Sequence, residues 1–243
     1  MVRWTMVASI AASVFAPTPR RYATILTMQP THEPDISVLL FDVGGVLIEV
    51  SGIETMLEWL GNTITAEELW IKWLRSVSVR QFETGKIEAS EFALAVTREF
   101  GLDIEPKRFL ESFAGWPRGL YPGAMEMLAR IPARYRRALL SNSNALHWPR
   151  LLNDMGLKAA FEHRFVSHLT GKIKPDGAAF EDVINSFGCA PEQVLFLDDN
   201  LLNVEAAAGL GMRAARVVGP GEAQRVLTDF GIIEEHRHAA NRS

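Results

Sequence analysis

Cysteine is nearly absent from this chain of 243 residues, since Cys189 is its only one. A single cysteine cannot form an intramolecular disulfide, and it cannot supply the paired thiolates of a zinc finger. Glycine and proline are also infrequent, at 18 and 12 residues, which excludes a low-complexity chain. With 48% hydrophobic and 22% charged residues, the composition is that of an ordinary folded protein.

Long apolar runs and an excess of positive charge are missing as well. The longest apolar-rich stretch, residues 6–16, is interrupted by Ser9 and Ser13 and falls short of the roughly 18 residues of a membrane span. The net charge is −4, although residues 1–32 contain arginines and no acid, so the rest of the chain is more acidic still. An acidic surface repels phosphate backbones. The sequence therefore predicts no membrane span and no nucleic-acid partner.

Residues 1–35 form a separate N-terminal extension. Arg3 and the apolar stretch after it resemble a secretory signal, but Pro17 lies where cleavage would have to occur. We expect this extension to be disordered, or not to be translated if Met28 is the true start. The predicted location is cytoplasmic, with export as the alternative if residues 1–16 act as a signal.

Short β-rich runs alternate with helix-type segments beyond the extension. The predicted strands cover residues 37–43, 137–142, 161–167, 193–198 and 213–218. The predicted helices between them cover residues 122–131, 147–155, 177–187 and 201–210. Residues 38–41 and 194–197 are apolar throughout, as strands buried on both faces require. The pattern predicts an α/β protein with a Rossmannoid parallel sheet and helices on both faces.

Residues 51–117 break this alternation, because no strand is predicted there and the apolar spacing is helical. Thr65 and Glu68 have the spacing of a capping box at the start of one helix. We interpret the segment as a helical cap inserted over the strand ends. The chain then divides into the extension 1–35, a core of 36–50 and 118–220, the cap 51–117 and a C-terminal tail 221–243.

Four of the six tryptophans of the chain lie in the cap, and three of them are Trp59, Trp70 and Trp73. Tryptophan is large and mostly apolar, and at helical spacing it usually packs inside a domain. We therefore expect these side chains to form the core of the cap rather than a substrate platform.

Polar residues interrupt the apolar runs where the predicted strands end. In chain order they are Asp42, Ser141, Asn142, Lys174, Asp198 and Asp199. The carboxyl ends of parallel strands meet at one edge of the sheet, so these groups should converge in one crevice. Three carboxylates repel each other unless a hard cation such as Mg²⁺ lies among them. A hydroxyl and an ammonium group can hold a phosphate there, and the set predicts phosphoryl transfer.

In order and spacing, these motifs resemble the haloacid dehalogenase (HAD) superfamily over residues 36–220. The shared pattern is an aspartate at the end of strand one, a serine or threonine after strand two, a lysine before a helix, and paired acids after strand four. The resemblance implies a HAD-like fold and a hydrolase in which Asp42 attacks phosphorus to form an aspartyl-phosphate.

The resemblance also implies a role for each polar residue of the crevice. The Mg²⁺ ligands would be Asp42, the carbonyl oxygen of Gly44, Asp198 and Asp199, directly or through water. The phosphate would be held by Ser141, Asn142 and Lys174, with Lys174 also assisting catalysis.

Gly44 departs from the usual HAD pattern, which places a second aspartate two residues after the nucleophile to protonate the leaving oxygen and activate water. Residues 82–87, 141–144 and 197–200 resemble the branch that includes α-D-glucose-1-phosphate phosphatase, which also has glycine there. The C1 oxygen of a sugar is a comparatively good leaving group, so it depends less on an acid.

The sequence thus predicts a Mg²⁺-dependent phosphatase acting on a small phosphorylated metabolite, such as a sugar phosphate. The alternative is a catalytically weak phosphate-binding or regulatory protein, because Gly44 cannot act as an acid. A dehalogenase fits less well, since the lysine and the paired acids suit a metal-bound phosphate.

Overall fold

The computed structural model describes residues 35–234, so the predictions for residues 1–34 lie outside the described residues. The strands are β1 (Val38–Phe41), β2 (Ile48–Val50), β3 (Pro117–Leu120), β4 (Arg136–Ser141), β5 (His163–Val166), β6 (Val194–Asp198) and β7 (Arg213–Arg216). Five of them form a parallel sheet in the order β5-β4-β1-β6-β7. Each of these five lies within, or one residue from, a predicted strand.

The helices surround this sheet or belong to the inserted segment. Within residues 35–234 they are α1 (Ile53–Trp59), α2 (Ala66–Arg75), α3 (Val77–Glu83), α4 (Ala89–Phe100), α5 (Pro106–Ala114), α6 (Ala124–Ala129), α7 (Trp148–Asn153), α8 (Leu157–Ala160), α9 (Ser167–Thr170), α10 (Gly177–Phe187), α11 (Leu201–Gly209) and α12 (Gly219–Asp229). None of these helices is long and apolar enough to cross a membrane.

The central strand β1 is apolar because both of its faces are buried. Leu39 and Phe41 pack into one hydrophobic core, whereas Val38 and Leu40 pack into a second core on the other face. Alternate side chains of a strand point to opposite faces, so four consecutive apolar residues supply both cores. The predicted α/β fold with helices on both faces is confirmed.

Each face of the sheet has its own set of helices. Helices α6, α7, α8 and α12 contribute buried side chains to the core that contains Phe41. Helices α10 and α11 cover the other face through residues such as Phe180 and Ala207. Helix α12 occupies the first half of the segment described above as a C-terminal tail, because Ala223 and Leu227 are apolar at helical spacing and are fully buried.

Helices α1–α5 pack around a third hydrophobic core, which contains Phe92 and Phe113. The capping box at the start of α2 is present, with the Glu68 N–H donating to Thr65 Oγ1 at 3.1 Å and the Thr65 N–H donating to Glu68 Oε2 at 2.8 Å. We call the segment from α1 to α5 the cap.

Strands β2 and β3 were not predicted from the sequence. They pair antiparallel, with Ile48 opposite Leu120, and form the two connections between core and cap. Their pairing joins residues about 70 positions apart, and each strand is only three or four residues long. Local patterns carry little information on such short, non-local pairings.

Candidate active site

The carboxyl ends of β1, β4 and β6 bring four of the predicted site residues together. Asp42 follows β1, Ser141 ends β4 and Asp198 ends β6, while Lys174 lies in the loop before α10. All four side chains are buried, although each is polar. Buried polar groups need partners, so the contacts among these side chains define the site.

Lys174 is the partner that two of the carboxylates share. Its Nζ donates to Asp42 Oδ1 at 2.5 Å and to Asp198 Oδ2 at 2.6 Å. A buried ammonium is tolerated only when it is well paired. The two carboxylates satisfy that requirement, and they hold the ammonium at the edge of the sheet.

Asp198 is further held by Asn203, which was not predicted as a site residue. Its Nδ2 lies 3.1 Å from both Oδ1 and Oδ2 of Asp198, and the Asn200 N–H donates to Asp198 Oδ1 at 2.8 Å. Asn203 lies in the first turn of α11 and is buried. The sequence signal for Asn203 is an amide residue five positions after Asp198, in the helix that follows the paired acids.

Burial and charge shift the pKa values of this cluster. Burial raises the pKa of Asp42 to about 8 against the opposing effect of Lys174, and the carboxylates of Asp198 and Asp199 raise it further. Burial acts to lower the pKa of Lys174, but the charges of Asp198 and Asp42 outweigh it and the net pKa is raised. The ammonium of Lys174 therefore stays charged across the neutral pH range. The neighbouring carboxylates repel each other, which makes their charged forms less favourable.

Asp199 completes the cluster. One oxygen of each of Asp42, Asp198 and Asp199 lies within 4.8 Å of the others. Burial and the charge of Asp198 raise the pKa of Asp199 to about 6. Gly45 permits this approach, since a Cβ on its backbone, which has φ +73°, would lie 2.2 Å from Asp199 Oδ2. Only glycine fits beside this carboxylate.

Asn142 lines the crevice and also holds the loop of residues 171–176 that contains Lys174, which we call the lysine loop. Its Nδ2 donates to the Lys174 carbonyl and its Oδ1 accepts from the Lys174 N–H, both at 2.9 Å. Ser141 is buried and lines the crevice. The Ser143 N–H donates to Ser167 Oγ at 3.0 Å, so this backbone group is already occupied.

Gly44 lies in the first turn after Asp42, where its backbone does not require glycine. A Cβ there would meet Val50 Cγ2 at 3.2 Å, and Val50 is exposed. A side chain at position 44 therefore needs only a small shift of Val50. The missing acid is a difference in chemistry and is not imposed by the fold.

The crevice opens into a cavity of about 1380 Å³ between core and cap. The cap contributes Glu83, at the end of α3, to the wall that also contains Lys174. Burial raises the pKa of Glu83 to about 7, and the positive charge of Lys174 offsets only part of this rise. Glu83 lies in the segment 82–87 used for the finer family resemblance, but its place near Lys174 depends on how the cap docks.

Three contacts dock the cap on the core near this cavity. Arg80 forms an ion pair with Asp176, the last residue of the lysine loop. Gly85, with φ +70°, passes so close to the core that a Cβ would lie 2.5 Å from the carbonyl oxygen of His168. His147 donates from Nε2 to the Phe113 carbonyl at 2.7 Å, and burial lowers its pKa to about 4, so it is neutral.

The comparisons with known proteins agree with this geometry. The haloacid dehalogenase-like hydrolase family matches residues 36–211. The chain therefore belongs to the haloacid dehalogenase-like hydrolases, and the prediction of a HAD-like hydrolase is confirmed. The finer resemblance to sugar-1-phosphate phosphatases stays a prediction.

Its relatives include both phosphatases and a dehalogenase. The chain is 27% identical over 187 residues to phosphoglycolate phosphatase 1 of Pseudomonas aeruginosa, covering 73% of this chain and 68% of that protein. It is 28% identical over 193 residues to (S)-2-haloacid dehalogenase of Xanthobacter autotrophicus, covering 75% of each. A HAD family enzyme of Bacteroides thetaiotaomicron, in complex with magnesium and inorganic phosphate, superimposes with a TM-score of 0.60 at 25% identity, over 74% of this chain and 93% of that one.

The raised pKa of Glu83 predicts a pH-dependent effect on stability. An acid whose pKa rises from 4.5 to about 7 on folding contributes stability below pH 4.5, and this contribution is lost as the pH rises through 7. Glu83→Gln does not titrate, so its melting temperature should rise relative to wild type between pH 5 and pH 8. Glu111→Gln, at an exposed position of α5, is the control and should show no such trend in the same thermal melts. A constant difference between Glu83→Gln and wild type would contradict the assignment.

Proposed function

We propose that this protein is a Mg²⁺-dependent phosphatase that hydrolyses a small phosphate monoester through an aspartyl-phosphate on Asp42. The observation that carries this proposal is the buried Lys174 ammonium held between Asp42 and Asp198. The ammonium is a fixed positive charge beside the proposed nucleophile Asp42, at the point where a phosphate anion would have to bind.

The donor set of the site fits a divalent cation. Three carboxylates converge within 4.8 Å, and Lys174 contacts two of them directly. One ammonium leaves a net negative charge among buried oxygens, and oxygen donors are the ligands that Mg²⁺ prefers. Asp42, Asp198, Asp199 and the carbonyl oxygen of Gly44 would hold the ion. When bound, Mg²⁺ would withdraw charge from the phosphate and reduce its repulsion from the carboxylates.

In this proposal Asp42 is the attacking group. Its Oδ1 accepts the hydrogen bond from Lys174, while its Oδ2 has no hydrogen-bond partner among residues 35–234. A bond would form from Asp42 to phosphorus as the bond from phosphorus to the ester oxygen breaks. Water then attacks the aspartyl-phosphate, which releases inorganic phosphate and restores the carboxylate. Lys174 faces the phosphate throughout and neutralises its charge, and Asn142 positions Lys174 by holding its backbone.

The leaving oxygen needs a proton or must be stable as an anion. Gly44 provides no acid, so the proton comes from Glu83, from solvent, or is not needed because the alcohol is acidic. These cases differ in how the rate depends on the leaving group.

A dehalogenase is the second candidate, because the Xanthobacter autotrophicus relative is one. Halide release creates a single negative charge, and a cluster of three carboxylates gives it no stabilisation. The cluster is therefore better explained by a metal-assisted phosphoryl transfer.

An assay of the purified protein tests the proposal. With Mg²⁺, the wild type should hydrolyse p-nitrophenyl phosphate and leave 2-chloropropionate intact, and chelation of Mg²⁺ should stop the reaction. Asp42→Asn keeps the shape of the side chain but loses the nucleophile, so turnover should fall by more than about 10³-fold with cooperative thermal unfolding retained. Phosphate binding without turnover by the wild type would support the regulatory alternative, and release of chloride would support the dehalogenase.

Lys174→Ala should lower kcat/KM for p-nitrophenyl phosphate by about 10²- to 10³-fold, since a donor facing the transferring group is lost. Lys172 is the matched control, because it lies two residues away and forms an ion pair with Asp182 at a partly exposed position. Lys172→Ala should retain wild-type kinetics. Equal kinetics in the two variants would place Lys174 outside the chemistry.

Gly44→Asp should raise kcat/KM for alkyl phosphates by up to about 10²-fold and change it little for aryl phosphates. An acid helps in proportion to the charge that develops on the leaving oxygen, and phenolate is already stable. Gly44→Asn has the same shape without a proton to give, and it should show no gain. An equal gain on both ester classes would mean that position 44 limits another step, and no gain on either would indicate that Glu83 or solvent already provides the proton.

A further inference from the structure

Exposed apolar side chains are concentrated around the cavity. Among the described residues, nine large apolar side chains are well exposed. Five of these line the cavity: Val50, Trp70, Ile71, Leu202 and Val218. Single exposed apolar residues are normal on a protein surface, but a group around one concave site marks a place where an apolar ligand binds.

The five side chains come from both sides of the cavity. Trp70 and Ile71 lie on α2 of the cap, whereas Leu202 lies at the start of α11 and Val218 directly precedes α12 of the core. Phe113, in the last turn of α5, and Trp116, two residues beyond this helix, add aromatic surface to the cap side. The apolar walls therefore face each other across the space above the strand ends.

Trp70 is the clearest departure from the expected cap core. The neighbouring residues Leu69 and Trp73 are buried and pack into the cap core, as predicted for Trp73. Trp70 itself is 42% exposed and faces the cavity, so its assignment to the cap core was wrong. Trp70 lies about 100° around α2 from Leu69, at the edge of the apolar face, and its indole is turned toward the cavity.

Two charged side chains of the cap that line the cavity, Arg80 and Glu83, interact with charged residues of the core. Arg80 is paired with Asp176, the last residue of the lysine loop, and Glu83 lies close enough to Lys174 to feel its charge. A sugar ring requires several free donors and acceptors around it, because each buried hydroxyl without a partner loses binding free energy. Glu67 and Arg75 of α2 also line the cavity, and between them on the same helix Trp70 and Ile71 provide apolar contact.

This proposal rests on the proposed function: we propose that the natural substrate is a phosphate monoester of an apolar phenol. Its phosphate would bind at Asp42 and Lys174, and its ring would lie between Trp70 and the start of α11. The absence of an acid at Gly44 is a second argument for an aryl ester, and it is independent of the cavity wall. A phenolic oxygen leaves as a stable anion and does not require the acid that this position lacks.

Binding of arylphosphonates to the Mg²⁺-loaded protein tests this proposal without turnover. Methyl-, phenyl- and 1-naphthylphosphonate share the phosphate-like group and differ in apolar area. Isothermal titration calorimetry should show that the dissociation constant falls about tenfold from phenyl to naphthyl, since four more carbon atoms are buried. In Trp70→Ala this gain should fall to about twofold or less, while methylphosphonate binding stays unchanged.

Leu94→Ala is the matched control, because Leu94 is also 42% exposed on a cap helix but does not line the cavity. It should bind the whole series as the wild type does. In a kinetic comparison, wild-type kcat/KM should be higher for 1-naphthyl phosphate than for phenyl phosphate, and higher for both than for glucose 1-phosphate.

The outcomes separate this proposal from the function on which it rests. Dissociation constants that are equal across the series, or glucose 1-phosphate as the better substrate, would overturn the aromatic substrate and leave the phosphatase intact. Unchanged selectivity in Trp70→Ala would likewise overturn the placement of the ring. Failure of inorganic phosphate and of every phosphonate to bind would overturn the phosphate site itself, and the present proposal with it.

Discussion

The ammonium group of Lys174 lies in a part of the molecule where water is excluded, and its charge is compensated by carboxylates from two different strands. Asp42 follows β1 and Asp198 ends the neighbouring strand β6, so their separation is set by the pairing of these two strands. Loss of either carboxylate would leave the buried ammonium with one charged partner and would lower the stability of the fold. The sheet register and the position of the lysine loop therefore depend on each other.

Several nearby residues hold these charged side chains in place. Asn142 holds the backbone of Lys174 from one side, and Asn203 holds both oxygens of Asp198 from the other. Gly45 leaves room for the third carboxylate. These contacts fix the side chains before any ligand arrives, and such preorganised charge is the main source of electrostatic stabilisation in enzyme sites.

The sheet edge could be predicted from the sequence because two simple rules coincide there. Strands buried on both faces are continuously apolar, so Asp42 and Asp198 stand out where the apolar runs end, and the parallel arrangement places their ends together. The positions of Glu83 and Trp70 could not be predicted in this way. They depend on which face of each cap helix is turned to the core, and that choice is set by packing among side chains far apart in sequence. Asn203 has a local signal, but an amide in the first turn of a helix more often caps the helix than orients a neighbouring acid.

The paired strands β2 and β3 have a consequence for how such a protein can change over evolutionary time. The chain leaves the core at Val50 and returns at Pro117, and these two residues are partners in the same ribbon, with the Ser51 N–H donating to the Trp116 carbonyl at 2.9 Å. Whatever lies between them starts and ends at one place, so it can be lengthened, shortened or exchanged as a unit without altering the order of the five strands. The segment that forms one wall of the cavity and the segment that holds the three carboxylates can thus diverge at different rates, and the shape of the cavity can change while the carboxylate cluster is kept.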